Sequence, residues 1–157
     1  MAETRWLDDA EQTAWRSYLR MNTVLTAALS RQLQNDTTLS LPDFEVLVHL
    51  TDVDDGRLRV SELARAMRWE KSRLSHQVTR MQRRGLVARE ECPSDGRGAF
   101  VVLTDEGRAT IEAAAPSHVD SVRRLFFDTI TADEVTALTA ISQRVIERVE
   151  ANDACPS

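Results

Sequence analysis

The amino-acid sequence predicts a mainly α-helical fold with one small β-hairpin. Three observations carry this. Apolar residues recur three and four positions apart over most of the chain, the spacing of one helix face. Only two short runs, Leu86–Arg89 and Ala99–Leu103, are β-prone, and a Pro/Ser/Asp/Gly-rich stretch separates them as a hairpin tip would. A short helical pattern and a second, more polar one stand directly before that hairpin.

The elements follow in order. Residues 8–35 read as a long helix. Asp8 and Asp9 can cap its start, with Glu11 three residues after Asp8, and Leu25, Leu29 and Leu33 repeat at i, i+4, i+8. Tyr18 continues that face, and Trp15 and Leu19 widen it. A second helix starts at Ser40-Leu41-Pro42-Asp43, a capping hydroxyl followed by a proline whose missing N–H costs little there. It carries Phe44, Leu47, Val48 and Leu50 and stops at the turn-forming TDVDDG. A short helix within VSELARAMRW places Val60, Leu63, Ala64 and Met67 on one side. The next helix, EKSRLSHQVTRMQRRG, has one narrow stripe of Leu74, Val78 and Met81, and Gly85 closes it. After the hairpin, Thr104-Asp105-Glu106 opens a helix to about Asp128, in which Pro116 should cause a kink or a break. Thr131 and Glu134 form a capping box for a last helix, with Val135, Leu138, Ile141, Val145 and Val149 as its apolar face. This order is a helix-turn-helix followed by a wing, an arrangement that lays its second helix in the DNA major groove.

Charge distribution agrees. The net charge of −5 argues at first against a nucleic-acid partner. Residues 57–100, however, hold eleven Lys/Arg against five Asp/Glu, a local +6, while the remainder carries −11. A basic middle between acidic ends is the asymmetry of a polyanion-binding module on an acidic scaffold. Within residues 70–85 no acid follows Glu70, whereas a helix that needs only solubility mixes Glu with Lys.

The other classes find less support. No apolar run approaches the roughly 18 residues of a membrane span. The acidic N-terminus lacks the apolar segment of a secretory signal, and two cysteines are too few for a disulfide framework, so a cytoplasmic location is expected. No nucleophile triad, paired carboxylates or Gly-rich phosphate loop argues for an enzyme. His49, His76 and His118 are scattered, with no ligand spacing for a metal, and no cofactor is expected. The alternative to DNA binding is a helical protein–protein adaptor, which leaves the basic hairpin and residues 70–85 without a use.

At this point the residues resemble the MarR family of bacterial transcription regulators. VSELARAM looks like its first helix-turn-helix helix, and EKSRLSHQVTRMQRRGLV like its recognition helix and entry to the wing. DGRGAFVVLTDEG resembles its wing and the following helix start, with the D-x-R pattern as Asp95-Gly96-Arg97, and LPDFEVLVHL is similar to the segment before. The resemblance covers about residues 12–150. It implies a single domain over 1–157, with a winged helix-turn-helix core of about 40–104 between dimerisation helices of about 8–36 and 105–151. It implies an obligate homodimer on a pseudo-palindromic operator, usually a repressor, released by a small ligand or by cysteine oxidation. His76 stands where the family commonly has Arg, so base preference does not carry over, and Trp69-Glu70 occupies the place of a Ser/Thr/Asp cap.

The candidate DNA-contacting residues are Lys71, Ser72, Arg73, Ser75, His76 and Arg80 on the polar helix, with Asp95 and Arg97 at the wing tip. Arginine makes bidentate contacts to guanine, and Ser and His donate to or accept from base edges and phosphates. Arg97 lies between Gly96 and Gly98, which let the backbone turn tightly, and Asp95 can hold its guanidinium. Trp15, Tyr18, Phe44, His49 and His118 are candidates for a pocket that takes a small aromatic or lipophilic effector, although aromatics at helical spacing are more often core or dimer interface. Cys92 is a candidate redox sensor or an ordinary thiol: Arg89 would lower its pKa, and Glu90 and Glu91 would raise it.

A wing that reaches the minor groove or backbone makes Arg97 testable. Arg97→Ala should leave folding and dimerisation intact and weaken operator binding more than ten-fold, about 1.4 kcal/mol. The slope of log affinity against log salt should fall by about one unit, or two if both wings engage. A folded variant with unchanged affinity and slope would remove the wing from the interface.

Overall fold

Residues 4–91 and 98–153 are described in a computed structural model. Among these residues six α-helices and three strands follow one another. They are α1 (Asp9–Asp36), α2 (Leu41–Thr51), β1 (Arg57–Arg59), α3 (Val60–Ala66), α4 (Lys71–Arg83), β2 (Val87–Glu91), β3 (Ala99–Leu103), α5 (Asp105–Leu125) and α6 (Ala132–Asp153). A 3-10 turn at Phe127–Thr129 precedes α6. The chain divides into two units, one ending at His118 and one beginning at Val119. The fold is a winged helix: a helical chain with a small antiparallel sheet. Among the described residues no helix is long and apolar enough to cross a membrane.

Local chemistry explains the helix starts. Glu11 N–H donates to Asp8 Oδ1 at 2.8 Å and Asp8 N–H to Glu11 Oε2 at 3.0 Å, the reciprocal box expected from their spacing. Ser40 and Asp43 do the same at α2, and Thr131 and Glu134 at α6. The two hydrogen bonds from Thr131 lower the pKa of the Glu134 carboxyl. At α5, Gly107 N–H donates to Thr104 Oγ1 at 3.0 Å, and the same hydroxyl faces the carbonyls of Gly85 and Leu86.

Three details differ from the sequence expectation. The hairpin gains a third strand: the sheet order is β1-β3-β2, with Arg57 opposite Val102 and Val87 opposite Leu103. Pro116 does not break its helix, and α5 runs unbroken from Asp105 to Leu125. Proline removes one N–H, and the adjoining turn is tied to α1: Ser117 Oγ accepts from Gln32 Nε2 at 2.6 Å and donates to Asp36. The helix ends three residues before the expected Asp128, where the 3-10 turn takes over.

One core joins α2, α3, α4 and the sheet. Leu39, Val46, Leu47, Leu50, Leu63, Leu74, Val78, Met81 and Val101 are fully buried. Of α1 only Leu33 is buried, and α6 buries nothing. Trp15, Tyr18, Leu19 and Val24 of α1, and Ile141, Val145, Ile146 and Val149 of α6, stand exposed.

The exit from α4 is sterically tight. Gly85 takes φ +74°, Leu86 N–H returns to Met81 O at 3.1 Å, and Gly85 N–H to Gln82 O at 3.0 Å, a Schellman closure. A Cβ on Gly107 would lie 2.0 Å from the Leu86 carbonyl oxygen, whereas one on Gly85 would meet open space. Gly107→Ala should therefore cost about 3 kcal/mol by overpacking against backbone. Gly85→Ala should cost about 1–2 kcal/mol, from left-handed strain alone. Denaturant unfolding of both variants measures the difference, and equal losses would mean that the approach of α5 to Leu86 is not a constraint.

Candidate nucleic-acid interface

The turn that aims α4 is built without glycine. Arg68 adopts φ +53°, its N–H reaches Arg65 O at 3.1 Å, and Trp69 N–H reaches Ala64 O at 2.9 Å. This closes α3 as Gly85 closes α4, with a residue type that tolerates the left-handed region less well. As the sequence indicated, no side chain caps the start of α4, where Glu70 is the cap residue. The first turn of α4 thus keeps free backbone N–H groups beside Lys71 and Ser72, which favours anionic acceptors.

The buried stripe of α4 is Leu74, Gln77, Val78 and Met81. Lys71, Ser72, Arg73, His76 and Arg80 are all exposed, together on the remaining face, and Ser75 is half-buried. The Arg73 guanidinium lies 3.9 Å from the centre of the Trp69 ring, which holds a flexible cation by cation–π attraction. Arg80 donates through Nη2 to Gln77 Oε1.

Ser75 brings in a residue that the sequence reading passed over. Arg89 of β2 donates from Nη2 to Ser75 Oγ at 2.8 Å, so a wing cation is pinned against α4. Between Lys71 and Arg89 the chain carries six cations and no acid, and the acids resume at Glu90. Glu90 pairs with Arg57 at 3.3 Å, and the Arg57 and Arg59 guanidinia lie 4.2 and 5.4 Å from the Phe100 ring centre. The expected wing-tip residues Asp95 and Arg97, and the redox candidate Cys92, lie outside the described residues.

The five effector candidates fall into separate places. Phe44 is buried, and its ring centre is 4.4 Å from that of His118. Burial lowers the His118 pKa, which favours the neutral ring. His118 Nδ1 and Gln32 Oε1 are buried atoms without a hydrogen-bond partner. Trp15 and Tyr18 instead stack on each other at 5.7 Å, and both are about half exposed. At 1.5 Å per helical residue, Trp15 lies roughly 25 Å along α1 from Gln32. His49 is half-buried on α2. The structure therefore brings Phe44 and His118 together and keeps Trp15 and Tyr18 as a second, remote pair.

Comparison with known proteins gives this surface a context. Residues 37–98 match the family model described as the MarR family. AbsC of Streptomyces coelicolor, a MarR family transcriptional regulator, is 45% identical, with a TM-score of 0.88 over 94% of this chain and 99% of AbsC. Sco3205 from the same organism, a MarR family regulator solved in complex with DNA, is 44% identical, with a TM-score of 0.88 over 92% of this chain and 91% of Sco3205. The transcriptional repressor YetL of Bacillus subtilis is 32% identical over 84 residues, 54% of this chain and 50% of YetL. The chain thus spans about half the length of the curated relatives it matches. With 45% identity across nearly the full length of AbsC, and the family model over the helix-turn-helix and the first strand of the wing, the chain belongs to the MarR family of transcriptional regulators.

Proposed function

We propose that the protein is a sequence-specific DNA-binding repressor that acts as a homodimer on a pseudo-palindromic operator. In this reading α4 enters the major groove and the β2–β3 wing meets the adjoining backbone. The observation that carries it is the exposed α4 face of Lys71, Ser72, Arg73, His76 and Arg80, extended by Arg89, with no carboxylate from Lys71 to Arg89. Such a face presents donors and positive charge to an acceptor-rich polyanion. The DNA complex of Sco3205 supports the same reading.

Dimerisation is proposed from exposed apolar surface. Large apolar side chains on α1 and α6 are 40% exposed or more, including Trp15, Tyr18, Ile141 and Val145. Exposed apolar surface on each of these helices marks an association site, and a two-fold pair buries it on both copies. Release by a small aromatic or lipophilic effector is proposed at Phe44 and His118. The unpartnered His118 Nδ1 and Gln32 Oε1 would be satisfied there by a ligand with a polar group.

Selection of duplexes from a random library, followed by gel shift, tests the DNA reading. The expected product has two half-sites about 10 bp apart centre to centre, or a small multiple of that. Light scattering at micromolar concentration should return a dimer mass. A monomer mass would sink the homodimer and the palindrome together.

Readout and positioning should separate by mutation. Arg73→Ala should relax preference at one base position by about 1–3 kcal/mol. Arg89→Ala should weaken selected and random DNA alike and lower the salt slope by about one unit per lost phosphate contact. An equal loss on both DNAs for Arg73→Ala would reassign that residue to phosphate.

A further inference from the structure

Gln77 is a polar residue inside the apolar stripe of α4, only 3% exposed. Both ends of its amide are occupied. Nε2 donates to Asp43 Oδ1 at 2.6 Å, and Oε1 accepts from Arg80 Nη2. Asp43 is 2% exposed, and its Oδ2 accepts from Ser40 N–H at 2.9 Å and from Arg84 Nη1 at 2.7 Å. Arg84 also donates to Thr38 O.

The chemistry runs in one direction. A carboxylate only accepts and a guanidinium only donates, so an amide between them has one permitted orientation. The buried carboxylate orients Gln77, and Gln77 presents its oxygen outward to Arg80. Asp43 already has the capping N–H and the Arg84 guanidinium as partners without Gln77. What Gln77 adds is a link from that buried charge to an exposed arginine on the proposed DNA face. One bond to Gln77 leaves Arg80 four of its five N–H donors.

We infer that Asp43 and Gln77 are positioning residues for DNA recognition: they hold Arg80 in one rotamer on the exposed face of α4, ready to donate to a base edge or phosphate. An arginine ordered in the free protein loses less rotamer freedom when it binds. The inference rests on the DNA-binding reading and adds two buried residues that touch no DNA themselves.

A double-mutant cycle tests it, with a duplex selected by the wild-type protein from a random library as the probe. All variants are first checked by circular dichroism and light scattering, and binding is measured well below every unfolding midpoint. Gln77→Met keeps the volume of the side chain and removes both hydrogen bonds. It should weaken binding about ten-fold in the wild-type background and less than about two-fold in an Arg80→Ala background, because the residue it acts through is gone. The exchange variant Asp43→Asn/Gln77→Glu keeps the 43–77 contact with its donor and acceptor interchanged, and still offers Arg80 an acceptor at position 77. It should recover affinity to within about three-fold of wild type. Equal losses for Gln77→Met in both backgrounds would overturn the relay while leaving DNA binding in place. If Gln77→Met does not fold, the exchange variant decides alone, and binding as weak as that of Arg80→Ala overturns the relay. A wild-type protein that selects no duplex would instead overturn the DNA reading, and the relay with it.

Discussion

The winged helix is organised around a buried negative charge, the carboxylate of Asp43. A carboxylate at 2% exposure has exchanged water for protein donors, which come from the start of α2 and from α4 with its C-cap. Ser40 supplies a backbone N–H, Gln77 an amide and Arg84 a guanidinium. Because Gln77 and Arg84 lie two turns apart on α4 and just past its end, satisfying Asp43 sets both the position of α4 along α2 and its rotation. Stranding such a charge costs about 3–5 kcal/mol, so few alternative arrangements compete. The capping-box partner of Ser40 in α2 is therefore also the residue that aims the proposed recognition helix.

Rigidity then passes to the wing through backbone contact. Gly85 reverses the chain in a left-handed conformation, and the Leu86 carbonyl comes so close to Gly107 that no side chain fits between them. Thr104 joins the same junction with one hydroxyl that caps α5 and faces the Gly85 and Leu86 carbonyls. Arg89 crosses from β2 to Ser75 of α4. The end of α4, the root of the wing and the start of α5 form one packed unit, so the helix and wing present their cations in a defined relation. That is the requirement for reading DNA from two directions.

Features that depend on neighbours in the sequence were legible without a structure. The capping pairs Asp8/Glu11 and Thr131/Glu134 form and Ser40 caps α2, because a cap is a contact between residues three apart. Gly85 closes α4 because a left-handed turn favours a residue without Cβ. The Leu74, Val78 and Met81 stripe is buried because helical spacing alone puts it on one side. Strand β1 was not legible. Arg57-Leu58-Arg59 is three residues long with one apolar residue, too short to show a period, and it is a strand because β3 lies beside it.

The sequence by itself determined the helix-turn-helix and wing order, the cation-rich polar helix of residues 70–85 and the apolar stripes of the outer helices. These follow from periodicity and charge, which are local properties of the chain. Tertiary structure alone decided which side chains meet. Gln77 lies three residues after Leu74 and four before Met81, so its place in the stripe was readable, but its partners Asp43 and Arg80 were not. In the sequence Arg89 stands out only as a neighbour of Cys92, and the fold alone lays it on Ser75. Phe44 and His118 are 74 positions apart in the chain and meet ring to ring, while Trp15 and Tyr18, near neighbours on α1, stack far from them. Helical spacing says which way a residue points along its own axis, and only the packing of one helix on another says what it points at.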